Sequence, residues 1–199
     1  MDYEIIKEKV KKEYSDNEIN LKRFYHMEEV VKMALMLNRR FNFGVDENKI
    51  KVAGILHDYT KKKTFEESIK IVEKYLEDEA LEIAKKSESV IHSITAYFVV
   101  QEDFGIKDLE ILDAILYHTT GSSQMTKLSE LIYVADAVEE TRTYNNVEEL
   151  RKIVLNDFYQ GMLAILETTL KHLKDKGWYI NPKTIETYDY YRRLYGINK

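Results

Sequence analysis

Residues 54–61 read GILHDYTK, and two polar residues, His57 and Asp58, follow the apolar Ile55 and Leu56 at the end of a helical stretch. Burying an imidazole and a carboxylate is costly unless they pair with each other, with hydrogen-bonding groups or with a metal ion. Adjacent residues point about 100° apart on an ideal helix, so both side chains reach one point only near a helix end or across a bundle centre. Their partners must come from elsewhere in the chain.

Composition says what surrounds that stretch. One proline and seven glycines in 199 residues leave few helix breakers, while Leu, Ile, Lys and Glu abound, so the fold class is all-α. Apolar spacing of three and four predicts helices over 2–14, 17–42, 46–58, 65–76, 79–87, 90–104, 108–118, 126–142, 147–176 and 182–195. Gly44, Gly105 and Gly177 fall at helix ends, Asp46 and Asp108 at capping positions, TFEE at 64–67 forms a capping-box pattern, and NPKT at 181–184 puts proline at the first helical position. No linker or repeat marks a second domain. A single helical bundle over 1–199 is expected, with a metal-binding core about 20–145 and C-terminal helices about 147–195 packing on it. HTTGSSQM at 118–125 is the one sizeable loop anticipated.

A net charge of −5 disfavours broad nucleic-acid binding, which needs many phosphates neutralised. Zero cysteines exclude disulfides, thiolate metal sites and cysteine nucleophiles. The start, MDYEIIKEKVKKEY, lacks the apolar core of a signal peptide and no run reaches the length of a membrane span, so the expectation is a cytoplasmic protein with no membrane partner.

Four of the five histidines sit in apolar helical surroundings: His26 in RFYHMEEVV, His57, His92 in SVIHSITAYFVV and His118 in ILDAILYHTTG. Singly, such a histidine is more often a hydrogen-bonded core residue than a ligand. Asp136 in LIYVADAVEE interrupts an apolar helix, where a bare carboxylate is expensive; a half-exposed helix position or a pair with Arg142 is the competing account. Six such residues on five segments point to convergence. None of the pairs has the i, i+4 spacing for chelation by one helix, so a metal would be clamped between helices. Imidazole and carboxylate without thiolate suit iron, manganese, cobalt, nickel or zinc.

His26, His57-Asp58, His92, His118 and Asp136, in that order, resemble the H…HD…H…H…D form of the HD-domain superfamily of metal-dependent phosphohydrolases. More narrowly, AGILHDYTK, AILYHTTG, MTKLSELIYVADAVEETR and NNVEELR resemble the YqeK family of bacterial HD-domain hydrolases. The resemblance covers roughly residues 20–190 and implies an all-helical HD-domain bundle, one or two metal ions with iron foremost, and symmetrical hydrolysis of diadenosine tetraphosphate to two ADP. It carries metal ligation to His26, His57, Asp58, His92, His118 and Asp136. Met27, Ser122 and Thr141 depart from the family pattern, the second at a position associated with a phosphate contact.

Such a metal lowers the pKa of bound water and polarises a phosphoryl oxygen, giving hydroxide attack on a central phosphorus. Candidate catalytic residues are His57, Asp58 and Lys61; candidate phosphate and nucleotide contacts are Arg23, Lys61, Thr119, Thr120, Gly121 and Arg142, with Arg151 a weaker one. Arg23 precedes His26 by three and Lys61 follows His57 by four, spacings that share a helical face. Solvated surface charge is the competing account for Lys61, and a pair with Glu139 for Arg142. Among fifteen tyrosines, Tyr117, Tyr133 and Tyr144 are candidates for base stacking, and His172 reads as a late-helix residue outside any motif. Another HD-domain nucleotide phosphohydrolase, or a nucleotide-binding protein with little turnover, would use the same residues. A homodimer accords with the resemblance, although no self-complementary patch marks one.

Overall fold

The structure, a computed structural model, describes residues 2–196. Among them are eleven helices and no strand: α1 (Tyr3–Glu13), α2 (Glu18–Arg40), α3 (Glu47–Leu56), α4 (Phe65–Val72), α5 (Asp78–Lys86), α6 (Ile91–Phe104), α7 (Leu109–Tyr117), α8 (Lys127–Val138), α9 (Val147–Asn156), α10 (Phe158–Lys176) and α11 (Pro182–Tyr195). No helix among the described residues is long and apolar enough to cross a membrane.

The centre is built by α2, α3, α7 and α8, which pack on one another. Helix α2 supplies Phe24, Met27, Val30, Val31, Ala34 and Leu37 from one stripe, all buried. Helix α3 lies close because Gly54 carries no side chain: a Cβ there would stand 2.7 Å from Val31 Cγ2. That approach brings the end of α3, with His57 and Asp58, against the face of α2 that bears His26. One apolar cluster runs from Ile6 through these helices to Tyr191, and a smaller one, Val72, Ala84 and Ile91, lies under α4 and α5. Helix α10 packs on α9, α8 and α11.

Several helix ends follow the sequence closely. Asp46, Asp108 and Asn181 cap their helices through side-chain oxygens, Thr64 and Glu67 form the reciprocal capping box, and Gly105 and Gly177 stop theirs in the left-handed conformation. Other boundaries differ: α2 stops at Arg40 rather than 42 and α4 at Val72 rather than 76. The helix expected over 147–176 is two, because Asp157 leaves helical conformation (φ −147°, ψ 113°) and its carboxylate accepts from the Tyr159 and Gln160 amides to start α10. Helix α8 stops at Val138 rather than 142, and the chain beyond is held by Arg151. Helix α3 stops at Leu56 rather than 58. This last difference makes the site.

Candidate metal centre

Because α3 ends at Leu56, His57 and Asp58 lie in the turn that follows and both face the bundle centre. Tyr14, the C-cap of α1, fixes that turn by donating to the Asp58 and Tyr59 carbonyls, each at 2.9 Å. Thr60 ties it to α6 through the His92 carbonyl at 2.8 Å.

His57 and His118 use one device. Each is the C-cap of its helix, α3 or α7, and its Nδ1 donates to the carbonyl three residues back, Gly54 or Ile115, at 2.7 Å. A helix end leaves such carbonyls unpaired, so the bond satisfies the backbone and fixes the ring tautomer with an unprotonated Nε2. For His57 that Nε2 is buried and has no partner; among the described residues no other buried side-chain nitrogen or oxygen is in that state. Burial holds the His57 pKa down to about 3, so the ring stays neutral.

Around this lone pair, donor atoms of His26, His57 and Asp136 lie within 4.8 Å of one another, as do those of His57, Asp58 and His118. Both groups contain His57. His92 from α6 reaches the second group, its Nε2 standing 3.1 Å from Asp58 Oδ1 and 3.1 Å from His118 Nε2. His26 donates from Nε2 to Asp136 Oδ1 and from Nδ1 to Glu139 Oε1, both at 3.0 Å. Burial works against its charged form, but the bonds to Asp136 and Glu139 outweigh it and push the pKa up to about 9. Burial also works against ionised Asp58; the facing imidazoles of His57, His118 and His92 prevail and hold its pKa well below the ordinary carboxylate range. Arg142 and His26 do the same for Asp136. The arrangement is one buried carboxylate, Asp58, one half-buried carboxylate, Asp136, and four buried imidazoles without sulfur, with one imidazole lone pair unused. A hard or borderline divalent cation fits it.

Cations flank the carboxylates. Arg23 Nη1 donates to Asp58 Oδ2 at 2.7 Å; Arg142 bonds Asp136 through its side chain and, from Nε, through the carbonyl at 2.8 Å. Lys61 is half-buried with Nζ 2.9 Å from His92 Nδ1, and burial pulls its pKa below its ordinary value. It is no solvated surface lysine.

Two cavities border the centre. The first, about 860 Å³, touches His118, Thr119, Asp136 and Arg142 and extends past Tyr133, Tyr144 and His172. The second, about 670 Å³, touches His92 and Lys61. Ser89 and Tyr179 line both.

Some sequence candidates lie elsewhere. Thr119 reaches the first cavity, but Thr120 and Gly121 line neither: Thr120 is buried with its hydroxyl on the Gly121 carbonyl, and Gly121 (φ +67°) packs so tightly on α11 that a Cβ would stand 2.5 Å from Thr187 Cγ2. Arg151 is buried and donates to the carbonyls of Val138, Glu139 and Arg142, so it braces the chain after α8 rather than facing a cavity. Tyr117 also lies outside both cavities, beneath Lys183.

Sequence reasoning gave Glu139 only as a partner for Arg142, whose Nε does stand 3.7 Å from Oε1, and missed its contact with His26. Glu139 is fully buried, holds His26, and is itself gripped by Thr141, whose amide donates to Oε2 at 2.5 Å and whose hydroxyl donates to Oε1 at 2.7 Å. Thr141 therefore acts on the site through Glu139. In VEETR both residues look like a solvated helix end, so only the fold reveals them.

The family model described as HD domain matches residues 23–141, which span α2 to the turn beyond α8. The chain belongs to the HD-domain family. A symmetrical bis(5'-nucleosyl)-tetraphosphatase of Bacillus subtilis is 34% identical over 168 residues, 84% of this chain and 88% of that protein. A protein of the same name from Staphylococcus aureus is 32% identical over 175 residues, 85% and 87% of the two. A crystal structure from Clostridium acetobutylicum, described as a predicted HD superfamily hydrolase involved in NAD metabolism, matches with TM-score 0.86 at 28% identity and 98% coverage of both chains. His57, which the two donor groups share, and its neighbour Asp58 both lie within the matched residues.

Proposed function

We propose that this HD-domain protein is a metal-dependent phosphohydrolase that cleaves diadenosine tetraphosphate, and dinucleoside polyphosphates of that kind, symmetrically into two ADP. The observation that carries the reading is the buried, unpartnered Nε2 of His57 at the junction of two donor groups, in a chain whose relatives bear the name of that activity. His26, His57, Asp58, His92, His118 and Asp136 are the residues that would hold metal, iron foremost and in one or two positions. When bound, the ion supplies a water of lowered pKa and polarises a phosphoryl oxygen.

The remaining work falls to the chain. His57 and His118 present their Nε2 lone pairs without reorganisation because their helix ends already fix the tautomer. Glu139 and Thr141 orient His26. Arg23, Lys61 and Arg142 place positive charge around the carboxylates, suited to orienting the phosphate chain and to stabilising the charge that develops on the departing ADP oxygen. Water oxygen joins one central phosphorus, the bond from that phosphorus to the oxygen bridging the two central phosphorus atoms breaks, one ADP carries the water oxygen and the other keeps the bridging oxygen, and the water's protons pass to the phosphates and solvent.

Chromatography of the products formed by metal-loaded protein from diadenosine tetraphosphate tests this. ADP as sole product, lost in His57→Ala, is expected. AMP with ATP overturns the symmetrical assignment, and untouched substrate beside rapid hydrolysis of another nucleotide overturns the substrate.

A further inference from the structure

We infer that the second cavity receives one nucleoside arm of the substrate, with Trp178 as the surface on which its base stacks. The inference rests on the proposed function and deepens it. A molecule cut into equal halves has two nucleoside arms that leave the reacting phosphorus in different directions, so the site needs two receiving spaces. Two cavities among the described residues answer to this: one reaches the centre along His118 and Asp136, the other along His92 and Lys61. His92 and His118 are in contact, so the cavities abut at one histidine pair. Their volumes, about 860 and 670 Å³, both fall in the range of small-molecule sites.

The second cavity has the chemistry for such an arm. Lys61, Lys63 and Lys86 line it against a single acid, Glu88, which favours a polyphosphate. Beside the lysines stand Trp178 and Tyr179, directly after Gly177 ends α10 in the left-handed conformation. Trp178 is 54% exposed, a large apolar ring left open at a cationic cavity. Its neighbour His172 meets it perpendicularly (88°, centroids 5.6 Å) rather than stacking on it. Stacking on such a ring accepts any base, because every base has a π face. Tyr179 stands between the two spaces and lines both.

Trp178 is the only tryptophan, so its emission reports this cavity alone. In metal-loaded protein, ADP should quench that emission saturably. Trp178→Leu should raise KM for diadenosine tetraphosphate about tenfold while kcat stays within about twofold, and Trp178→Phe should recover most of the loss. A merely structural role would instead lower the thermal midpoint and leave the KM-to-kcat pattern unspecific. Cleavage of the substrate with an unchanged KM in Trp178→Leu, and no quenching by ADP, would overturn the subsite. Quenching by ADP in a protein that leaves diadenosine tetraphosphate intact would keep the subsite and overturn the hydrolytic reading.

Discussion

Two clusters of buried polar side chains sit in this bundle, and only one of them is complete. Around Glu130 of α8, Tyr191 of α11 donates at 2.7 Å, Tyr159 of α10 donates at 3.2 Å, and Lys127 pairs with the same carboxylate. Tyr159 stacks on Tyr195 and Lys127 lies over the ring of Phe43. Six residues along the same helix from Glu130, the Asp136 carboxylate instead joins a centre in which His57 Nε2 is buried without a partner. Low dielectric strengthens a satisfied network and penalises an unsatisfied one. The first cluster therefore ties α8, α10 and α11 together, and the second leaves one buried imidazole lone pair without a partner. The difference separates structure from function more sharply than burial or charge, which the two clusters share.

The largest break in the comparison should come from His57→Ala. Loss of a donor common to both groups is expected to abolish metal retention and to lower kcat/KM for diadenosine tetraphosphate about a thousandfold or more, roughly 4 kcal/mol of transition-state stabilisation, measured by steady-state kinetics. Stripping the metal from the parent with a chelator should lower its thermal midpoint, by an amount corresponding to about 2.7 kcal/mol where free ion stands at a hundred times its Kd. In His57→Ala that gap should vanish; a gap of the same size would place the stabilising ion elsewhere.

Glu139→Gln should sharpen the contrast by acting only on one side of it. Weakened orientation of His26 is expected to cost about 10–100-fold in metal affinity, read by metal titration. Tyr191→Phe is the counterpart: leaving the Glu130 carboxylate one donor short should destabilise the fold by about 1–3 kcal/mol in denaturant unfolding, while metal affinity stays at the parent value. Equal effects of these two variants on metal affinity would dissolve the distinction between the clusters.

How much of this the sequence discloses depends on whether the cause is local. Caps at Asp46, Thr64, Asp108 and Asn181 are readable because a side chain bonds a backbone amide two or three residues away. The all-α class and the convergence of His26, His57, Asp58, His92, His118 and Asp136 are readable because polar residues stand out in apolar helices. The split at Asp157 is not, since the apolar period continues across it. Arg151 resembles a phosphate ligand in NNVEELR, yet its guanidinium serves three main-chain carbonyls whose position depends on where α8 stops. Thr120 and Gly121 follow a site histidine in the chain, but packing on α11 turns them away from the cavities. Glu139 and Trp178 gain their meaning from neighbours more than a hundred residues away or from a cavity, and neither leaves a local mark.

The most direct test of the account is the metal content of freshly purified protein, determined by elemental analysis beside His57→Ala. At least one transition-metal ion per parent chain, with almost none in the variant, is the expected result. A parent without metal, whose thermal midpoint is unmoved by added iron, manganese, cobalt, nickel or zinc, would contradict it.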